Sequence, residues 1–467
     1  MHRACEQIQK KVANIKMERR SFLKSVGSAA AAGQLATAQQ KQQNILFLFP
    51  DQLRHDFVEP NNSISVRTPN LKRLATDGIR FTRAVTPAPL CAPARACLAS
   101  GLEYDHCRVP SNNENYPLDQ PTMYQRLRDA GYHVMGCGKF DFHKPQLDWG
   151  LDGKRLIREM GFSDGIDNEG KHDGTKAFKE AGKPMGPFLH YLDKKGLAHA
   201  HVEDYEKRTN KDTFPTPLPD ESYGDNWIAR NGLALLDAAP KNKPWFIQVN
   251  FNGPHPPWDI TASMEKRWRG VKFHQPNRCL TLTPENHVAI RQNYAAMIEN
   301  IDRCIGEFLA KVQQRGDASN TLIVVSSDHG EMLGDHNLWG KRHPFQGSVG
   351  VPLVVSGPGV VKGVTNEDPT TTLDLTATFL DYAGATQMSG MDSKSLRPLL
   401  TGKKHAARDY VLSGMDKWRV VMKGPYKYIR GWEKEPLLFD LQTDPLENQN
   451  LAAKKPVIAA RMAKLLG

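Results

Sequence analysis

The segment from Leu90 to Gly101 reads LCAPARACLASG and places a cysteine, a proline and an arginine two residues apart. Cys91 carries a reactive sulfur and Arg95 a permanent positive charge, so both side chains can do chemistry. In most soluble proteins, however, a buried cysteine is only a small apolar side chain and an arginine only a surface charge. The segment therefore predicts a reactive site only where other residues able to do chemistry are expected beside it.

Two apolar runs of the chain end in polar residues that could bind a metal ion. Asp51 and Gln52 follow the first run, and Asp328 and His329 follow a later one. An aspartate at the end of a strand is usually a turn residue or a helix cap, but two such pairs beside a Cys-x-Pro-x-Arg segment are harder to explain that way. Carboxylate, amide and imidazole groups suit a divalent cation. We therefore predict a metal site that includes these four residues.

The elements that must position these residues alternate between apolar strands and helices. Strands are predicted at Asn44–Phe49, Gly131–Met135, Trp245–Phe251, Thr321–Ser326 and Val351–Val355, and helices at Thr68–Ala75, Pro117–Ala130 and Val288–Gln313. Continuous apolar strands are typical of a buried, largely parallel sheet, and ligands bind beyond the carboxyl ends of such strands. The sequence therefore predicts an α/β fold with a large mixed β-sheet flanked by helices.

The domain organisation follows from changes in this pattern. The predicted catalytic domain spans residues 43–384, and its segment 151–225, rich in Gly, Lys and Asp, is interpreted as surface excursions around the site. Beyond it, short apolar segments separated by turns, followed by a helix, predict a small antiparallel subdomain at residues 385–467.

Residues 1–38 resemble a bacterial twin-arginine export signal. The segment Glu18–Lys24 contains Arg19 and Arg20, and a mildly apolar stretch rich in Ala and Gly follows, ending in Ala-Thr-Ala at position 38. We therefore expect the twin-arginine machinery to export the protein to the periplasm or the medium.

Composition excludes several other classes of protein. The net charge is +11, but the leader holds seven basic and two acidic residues, and the remaining charge forms no basic block. No nucleic-acid partner is predicted, and the excess of positive charge fits an acidic substrate better. No run approaches the ~20 apolar residues of a transmembrane helix. The seven cysteines form no CxxC pair, so no zinc site is predicted. The sequence allows a disulfide between two of them but does not assign one.

Taken together, the motifs are similar to those of the formylglycine-dependent sulfatases, a family of the alkaline phosphatase superfamily. The segment from Cys91 to Gly101 matches the signature of that family, and further motifs recur in family order from residue 44 onward. These are Asp51, Thr68-Pro-Asn-Leu, Gly138-Lys139, Pro254-His255-Pro256, Ser327-Asp328-His329-Gly-Glu331, Gly340-Lys341 and the segment Phe439–Leu451. The resemblance implies an alkaline phosphatase-like fold and the hydrolysis of sulfate esters.

The resemblance also implies a chemistry for Cys91. In the family, a formylglycine-generating maturation enzyme reads the Cys-x-Pro-x-Arg core and oxidises the cysteine to an aldehyde, 3-oxoalanine. The hydrated aldehyde at position 91 binds the metal, and one of its hydroxyl groups attacks sulfur. The second hydroxyl then expels sulfate and regenerates the aldehyde.

Roles for the remaining residues follow by the same resemblance. Arg95 would orient the hydrated aldehyde, Lys139 and Lys341 would bind sulfate oxygens, and His255 would protonate the leaving oxygen. Calcium is the expected cation because the ligands are mainly oxygen atoms, with Mg²⁺ or Mn²⁺ open because of His329.

The sequence departs from the family pattern at several positions. A histidine commonly stands two residues after the first lysine of the family, whereas this chain has Asp141 there and His143 two residues further on. Either Asp141 replaces that histidine or His143 reaches the site from a shifted turn. The pairs Asp-Gln and Asp-His resemble those of phosphonate and phosphodiester hydrolases that share the aldehyde nucleophile. Asn112 could contact substrate or could be an ordinary loop residue.

The sequence thus predicts an exported enzyme that hydrolyses sulfate monoesters, with a sulfated small molecule or glycan as substrate. An aryl sulfate, a sulfated sugar and choline sulfate all fit. The first alternative is a phosphonate monoester or phosphodiester hydrolase, in which an uncharged hydroxyl residue tends to replace Lys139. The second is a non-catalytic binder of sulfated glycans, expected if Cys91 is never oxidised.

Overall fold

The computed structural model describes residues 42–60, 64–403 and 408–467. The predicted export signal at residues 1–38 lies outside these ranges. Residues 43–467 form one compact unit. No helix among the described residues is long and apolar enough to cross a membrane.

Three sheets make up the β-structure of the described residues. The strands of the described chain are β1 Asn44–Leu48, β2 Gly78–Phe81, β3 Ala84–Val85, β4 His133–Gly138, β5 Asp164–Asp167, β6 Trp245–Asn250, β7 Thr321–Val325, β8 Leu353–Ser356, β9 Val364–Asn366, β10 Thr370–Thr371, β11 Val411–Met415, β12 Trp418–Lys423, β13 Tyr426–Arg430 and β14 Leu437–Asp440. The eight-stranded main sheet has the order β5-β4-β6-β1-β7-β8-β2-β9, a two-stranded sheet pairs β10 with β3, and the third sheet has the order β11-β12-β13-β14.

The helices flank the main sheet and fill its connections. They are α1 Pro69–Thr76, α2 Cys91–Ser100, α3 Met123–Asp129, α4 Lys171–Ala181, α5 Pro187–Lys194, α6 Ala198–Lys207, α7 Gly224–Ala238, α8 Ala262–Trp268, α9 Pro284–Gln314, α10 Gln346–Val349, α11 Asp374–Ala383, α12 Arg397–Leu400 and α13 Pro456–Ala463. Short 3₁₀ turns cover Lys144–Gln146, Asp220–Ser222, Ala318–Asn320, Asp335–Asn337 and Lys464–Leu466.

The central strands of the main sheet are parallel. Strands β5, β4, β6, β1 and β7 run in one direction, and β8 is antiparallel to both of its neighbours, β7 and β2. All five residues of β1 and all six of β6 are buried, because helices cover both faces of the sheet. The predicted α/β fold with a large mixed sheet is confirmed.

Local sequence signals account for the boundaries of several helices. The hydroxyl of Thr122 accepts a hydrogen bond from the Gln125 backbone N–H, and the Gln125 side chain accepts one from the Thr122 N–H, which forms a capping box before α3. Helix α2 ends at Gly101, whose φ of 72° is left-handed and suits glycine. All ten residues of α2 are buried, since its small side chains let it pack inside the protein.

The segment 151–225 is more ordered than the sequence indicates. It contains β5, which extends the edge of the main sheet, and helices α4, α5 and α6. The low periodicity of the segment thus failed to indicate this strand and these three helices, whereas the interpretation as surface excursions around the site stays a prediction. Helix α4 has glycine or lysine at several positions, and these residues obscured its apolar face in the sequence.

The C-terminal region forms the predicted antiparallel sheet. Strands β11 to β14 pair in sequence order, and α13 follows them. One face of this sheet packs with residues that include Val85 and Met332 of the preceding region, and the other face packs under α13.

Candidate active site

Four adjacent strands of the main sheet deliver polar residues to one edge. Strands β4, β6, β1 and β7 are parallel neighbours, so their carboxyl ends meet at the same place. Lys139 directly follows β4, His255 follows β6, Asp51 follows β1 and Asp328 follows β7. The strand order alone therefore gathers predicted site residues from distant parts of the sequence.

Cys91 lies at the centre of this group, at the first position of helix α2. Its Sγ lies 2.8 Å from the Lys341 Nζ and 3.4 Å from both the Lys139 Nζ and the His329 Nε2. The nearer carboxylate oxygen of Asp51 is 3.8 Å away. Cys91 is buried, so these groups surround the sulfur out of contact with bulk water.

The charges around Cys91 lower the pKa of its thiol. Burial and the nearby Asp51 carboxylate raise the pKa of Cys91, but the charges of Lys139, Lys341 and His329 outweigh them and lower it to about 6. The position thus favours an anionic or strongly polarised group.

Cys91 and three other buried side chains form a cluster that could hold a cation. Ligand atoms of Asp51, Cys91, Asp328 and His329 all lie within 4.8 Å of one another. The His329 Nδ1 lies 3.0 Å from the Gly330 carbonyl oxygen and can donate to it, which leaves Nε2 free to act as a ligand. Two carboxylates and one imidazole form a donor set that fits a divalent cation.

Gln52, the fourth predicted metal ligand, borders this cluster. Its backbone N–H donates to Asp328 Oδ1 over 2.9 Å, and its side-chain Oε1 lies 2.9 Å from the Lys341 Nζ. The side-chain Nε2 donates to the carboxylate of Glu331, a residue to which the sequence analysis assigned no role. The amide oxygen therefore faces the site and the amide nitrogen faces away from it.

Arg95 links helix α2 to two strand ends. Its guanidinium donates to Asp328 Oδ2 over 2.8 Å and to the Lys139 carbonyl oxygen over 2.6 Å. The guanidinium carbon also lies 5.3 Å from the centre of the Phe49 ring. The carboxylates of Asp328 and Asp51 more than offset the effect of burial and raise the pKa of Arg95, which keeps its charge.

Lys139 is held between two carboxylates. Its Nζ forms an ion pair with Asp51 and lies 3.2 Å from Asp141 Oδ2. Burial would lower the pKa of Lys139, but the charges of Asp141 and Asp51 raise it well above its usual value. The lysine therefore carries a positive charge although it is only 3% exposed.

The structure separates the two candidates that follow Lys139. Asp141 has a left-handed φ of 58°, and its carboxylate faces Lys139 and Lys144. His143 has no contact with the cluster around Cys91 among the described residues, and neither of its ring nitrogens has a hydrogen-bond partner there. Burial and the charge of Arg155 lower its pKa, so the imidazole is neutral. The contacts support Asp141 as the residue that takes the place of the family histidine beside Lys139. No contact among the described residues supports the predicted catalytic role of His143.

His255 stands at the more open side of the site. Its Nδ1 donates to the Pro256 carbonyl oxygen, which leaves Nε2 available to a ligand. Burial and the charge of Lys341 lower the pKa of His255 well below its usual value, against the opposing effect of Asp51. The ring of His172, an exposed residue of α4 that sequence reasoning missed, lies 6.1 Å from the His255 ring.

Asn112 has a contact that explains its position. Its Oδ1 accepts a hydrogen bond of 3.0 Å from the Ala92 backbone N–H, at the start of helix α2. The side chain thus satisfies a free donor at the helix N-terminus beside Cys91. Its predicted contact with substrate stays a prediction.

Comparison with protein families agrees with this geometry. The sequence model of the family described as "Sulfatase" matches residues 43–385. The chain belongs to the sulfatase family. A second model, "N-sulphoglucosamine sulphohydrolase, C-terminal", matches residues 334–466 of this sulfatase.

Individual relatives cover nearly the whole sulfatase chain. A choline-sulfatase of Rhizobium meliloti is 29% identical over 438 residues, which cover 88% of this chain and 82% of the relative. An arylsulfatase of Clostridium perfringens is 26% identical over 462 residues, covering 87% and 90% of the two chains. The crystal structure of a phosphonate monoester hydrolase of Agrobacterium radiobacter aligns with a TM-score of 0.77 at 25% identity, covering 91% and 94%. The chain is therefore a hydrolase of the sulfatase family.

Proposed function

We propose that this enzyme hydrolyses sulfate monoesters at Cys91, oxidised to formylglycine. One observation carries the proposal: the Cys91 sulfur lies within 3.4 Å of two lysine ammonium groups and at the edge of a buried Asp-Asp-His cluster. A sulfate group bound there would meet positive charge on two sides. When hydrated, a formylglycine supplies a hydroxyl nucleophile and a second hydroxyl whose proton loss allows sulfate to leave.

Asp51, Gln52, Asp328 and His329 would hold the cation together with an oxygen atom on residue 91. We propose calcium, because three of these four side chains offer oxygen, and Mg²⁺ or Mn²⁺ as the alternatives that the imidazole allows. The cation would supply a Lewis acid that favours ionisation of a bound hydroxyl group.

Lys139 and Lys341 would bind the non-bridging oxygens of the sulfate group. Both ammonium groups already face position 91 inside a site with little water, where charge that develops in the transition state is stabilised strongly. Arg95 would hold the nucleophile helix against Asp328, which fixes the distance between residue 91 and the cation.

His255 would give a proton to the leaving oxygen. Its Nε2 is free to do so because Nδ1 is engaged by the Pro256 carbonyl. The charge of Lys341 lowers the pKa of His255, and a bound sulfate would neutralise part of that charge. Substrate binding would therefore raise the pKa of His255 and favour the protonated form when the proton is needed.

The alternative is hydrolysis of phosphodiesters or of phosphonate monoesters, the second of which is the activity named for the aligned structure. Lys139 argues for sulfate, because a second buried ammonium group suits a sulfate with three non-bridging oxygens. The names of the relatives support a sulfated small molecule, and the sulfated glycans stay within the same proposal.

The test is to compare sulfate release from 4-nitrophenyl sulfate and a panel of sulfated sugars with hydrolysis of bis-(4-nitrophenyl) phosphate and phenyl phosphonates. We expect sulfate monoesters to be the better substrates and treatment with EDTA to abolish turnover. A preference for phosphodiesters, unchanged by Lys139→Ala, would assign the enzyme to the alternative.

The proposal includes maturation and export before catalysis. The Cys91-x-Pro-x-Arg95 core would be the substrate of a formylglycine-generating enzyme, and residues 1–38 would direct export by the twin-arginine machinery. Cell fractionation of a variant with Arg19→Lys and Arg20→Lys tests export. We expect the precursor to stay in the cytoplasm, whereas unchanged secretion would exclude the twin-arginine route.

A further inference from the structure

Glu331 is a buried carboxylate that lies behind the candidate metal cluster. It is 1% exposed and follows Asp328 by three residues. One carboxylate oxygen accepts from the Gln52 side chain, while the other accepts backbone N–H groups of Leu333 over 3.0 Å and Gly340 over 2.6 Å. A single side chain thus joins the end of β1, the loop after β7 and the loop that carries Lys341.

The contact with Glu331 decides which way the Gln52 amide points. An ionised carboxylate can only accept hydrogen bonds, so the amide NH₂ of Gln52 must face Glu331. The amide oxygen then faces the site, where it lies 2.9 Å from the Lys341 ammonium group. Only in this orientation can Gln52 offer the cation an oxygen ligand, because an amide NH₂ does not bind metal ions.

The same carboxylate fixes the loop that precedes Lys341. Gly340 donates its N–H to Glu331, and its carbonyl oxygen accepts from the Met332 N–H over 2.9 Å. Gly340 has a left-handed φ of 75°, so the chain turns sharply at this residue. The turn directs Lys341 back to Cys91, with 2.8 Å between Nζ and Sγ.

Arg54 holds the backbone beneath this arrangement. The Arg54 guanidinium donates to the carbonyl oxygens of Glu331 and Met332 over 3.2 and 3.0 Å. It also pairs with Asp335, at 2.8 Å. The backbone of Glu331 is therefore held independently of its side chain, which limits the structural damage from changing the carboxylate.

We propose that Glu331 is a positioning residue that orients the Gln52 amide oxygen toward the cation and holds Lys341 at the sulfate. The inference rests on the proposed function, because it assigns Glu331 a task at that site. The inference predicts that replacing Glu331 by the isosteric glutamine weakens the binding of both the cation and sulfate.

Glu331→Gln is the decisive variant because it keeps the size of the side chain. Its amide oxygen can take the place of the oxygen that accepts from the Leu333 and Gly340 N–H groups, and its NH₂ group then meets the NH₂ group of Gln52. We expect Gln52 to rotate and present NH₂ to the site, where it opposes both the cation and Lys341. Changes behind a metal ligand typically reduce metal affinity by about 10–100-fold.

The experiment measures calcium binding by calorimetry on full-length mature enzyme stripped with EDTA, and sulfate binding as competitive inhibition of turnover at saturating calcium. We expect Glu331→Gln to weaken calcium binding about 10–100-fold and to raise both the KM and the inhibition constant of sulfate. The matched control is Glu447→Gln, which changes a buried carboxylate of the C-terminal region that accepts the Gln346 N–H and pairs with Lys427. For the control we expect calcium affinity within about twofold of the wild type, since Glu447 lies outside the candidate metal cluster.

A folded Glu331→Gln enzyme with wild-type calcium affinity would overturn the inference, as would an equal loss of affinity in the control. Should Glu331→Gln fail to fold, Gln52→Met removes the same amide oxygen and is expected to lose calcium affinity to a similar extent; unchanged affinity there would also overturn it. Wild-type enzyme that binds no divalent cation would instead contradict the proposed function.

Discussion

Two buried groups of charges in this protein are built differently. At the active site, Lys139 contacts both Asp51 and Asp141, and Arg95 pairs with Asp328 within the same cluster. In the C-terminal region, Lys427 and Glu447 form a single ion pair of 2.6 Å, at 0% and 2% side-chain exposure. One arrangement shares each charge among several partners, and the other matches one cation with one anion.

This difference changes how the two lysines respond to burial. Two carboxylates outweigh burial at Lys139 and raise its pKa, whereas burial outweighs the single partner of Lys427 and lowers its pKa. The shared arrangement keeps charge available to a ligand. The matched pair has no such capacity, because each charge is already satisfied by the other and by Gln346. We infer that the first group serves binding and the second serves the fold.

The largest expected effect comes from removing Cys91, the proposed nucleophile, from the active site. Cys91→Ala should reduce kcat for 4-nitrophenyl sulfate on the order of 10⁴-fold or more, because the proposed covalent intermediate forms at residue 91. The melting temperature should change little. Cys137→Ala, which changes a buried cysteine two residues before Lys139, is the control and should keep most of the activity. Substantial turnover by Cys91→Ala would exclude covalent catalysis at this position.

Removing one of the shared cations should have the next largest effect. Lys139→Ala is expected to lower kcat/KM for sulfate monoesters about 100- to 1000-fold, the usual cost of losing a charge-stabilising donor in a dry site. Lys341→Ala should lower kcat/KM for sulfate monoesters by a similar factor. The loss with phosphodiesters should be smaller, since they present fewer non-bridging oxygens. Equal losses on both substrate classes would remove the argument for sulfate specificity.

Changing a partner of Lys139 should have a smaller effect that depends on pH. Asp141→Asn removes a carboxylate that raises the pKa of Lys139, so this pKa falls in the variant. In the proposed mechanism Lys139 acts in its charged form, so loss of activity at alkaline pH should begin at a lower pH than in the wild type. The profile of kcat/KM against pH measures this shift.

The control for Asp141→Asn is His143→Ala, which should leave both the rate and the pH profile within about twofold of the wild type, as expected for a residue outside the site. A large loss in His143→Ala with none in Asp141→Asn would reverse the assignment made from the structure.

The matched pair should show the opposite behaviour, with almost no effect on the activity of folded enzyme. Lys427→Met leaves the Glu447 charge buried without its partner and should lower the free energy of unfolding by about 3–5 kcal/mol. Activity per folded molecule at low temperature should be unchanged. Adding Glu447→Leu should restore much of the stability, because the uncompensated charge is removed. A specific loss of kcat in Lys427→Met would mean that the two groups are not separate in function.

The sequence was sufficient for much of the fold because its signals are local. Apolar runs such as Asn44–Phe49 and Thr321–Ser326 end at polar pairs, and the structure has strands there, each one residue shorter. Parallel neighbours then place Asp51 and Asp328 at one edge without further information. The antiparallel C-terminal sheet could also be predicted, because short apolar segments alternate with turns in this part of the sequence.

The remaining features depend on contacts that are distant in sequence or on single backbone angles. Glu331 lies within a motif that was recognised, but its partner Gln52 is 279 residues away. The choice between Asp141 and His143 depends on the left-handed backbone of Asp141, which spacing alone does not show. His172 comes from α4, a helix whose glycine and lysine residues hid its pattern.

The most direct test of the central claim is the mass of residue 91 in active enzyme. Trypsin should release the peptide Ala84–Arg95, which contains Cys91 and no other cysteine. The account predicts a peptide about 18 mass units lighter than the thiol form, with sulfate release proportional to the fraction of the lighter peptide. A preparation that releases sulfate at full rate while residue 91 is entirely a thiol would contradict it.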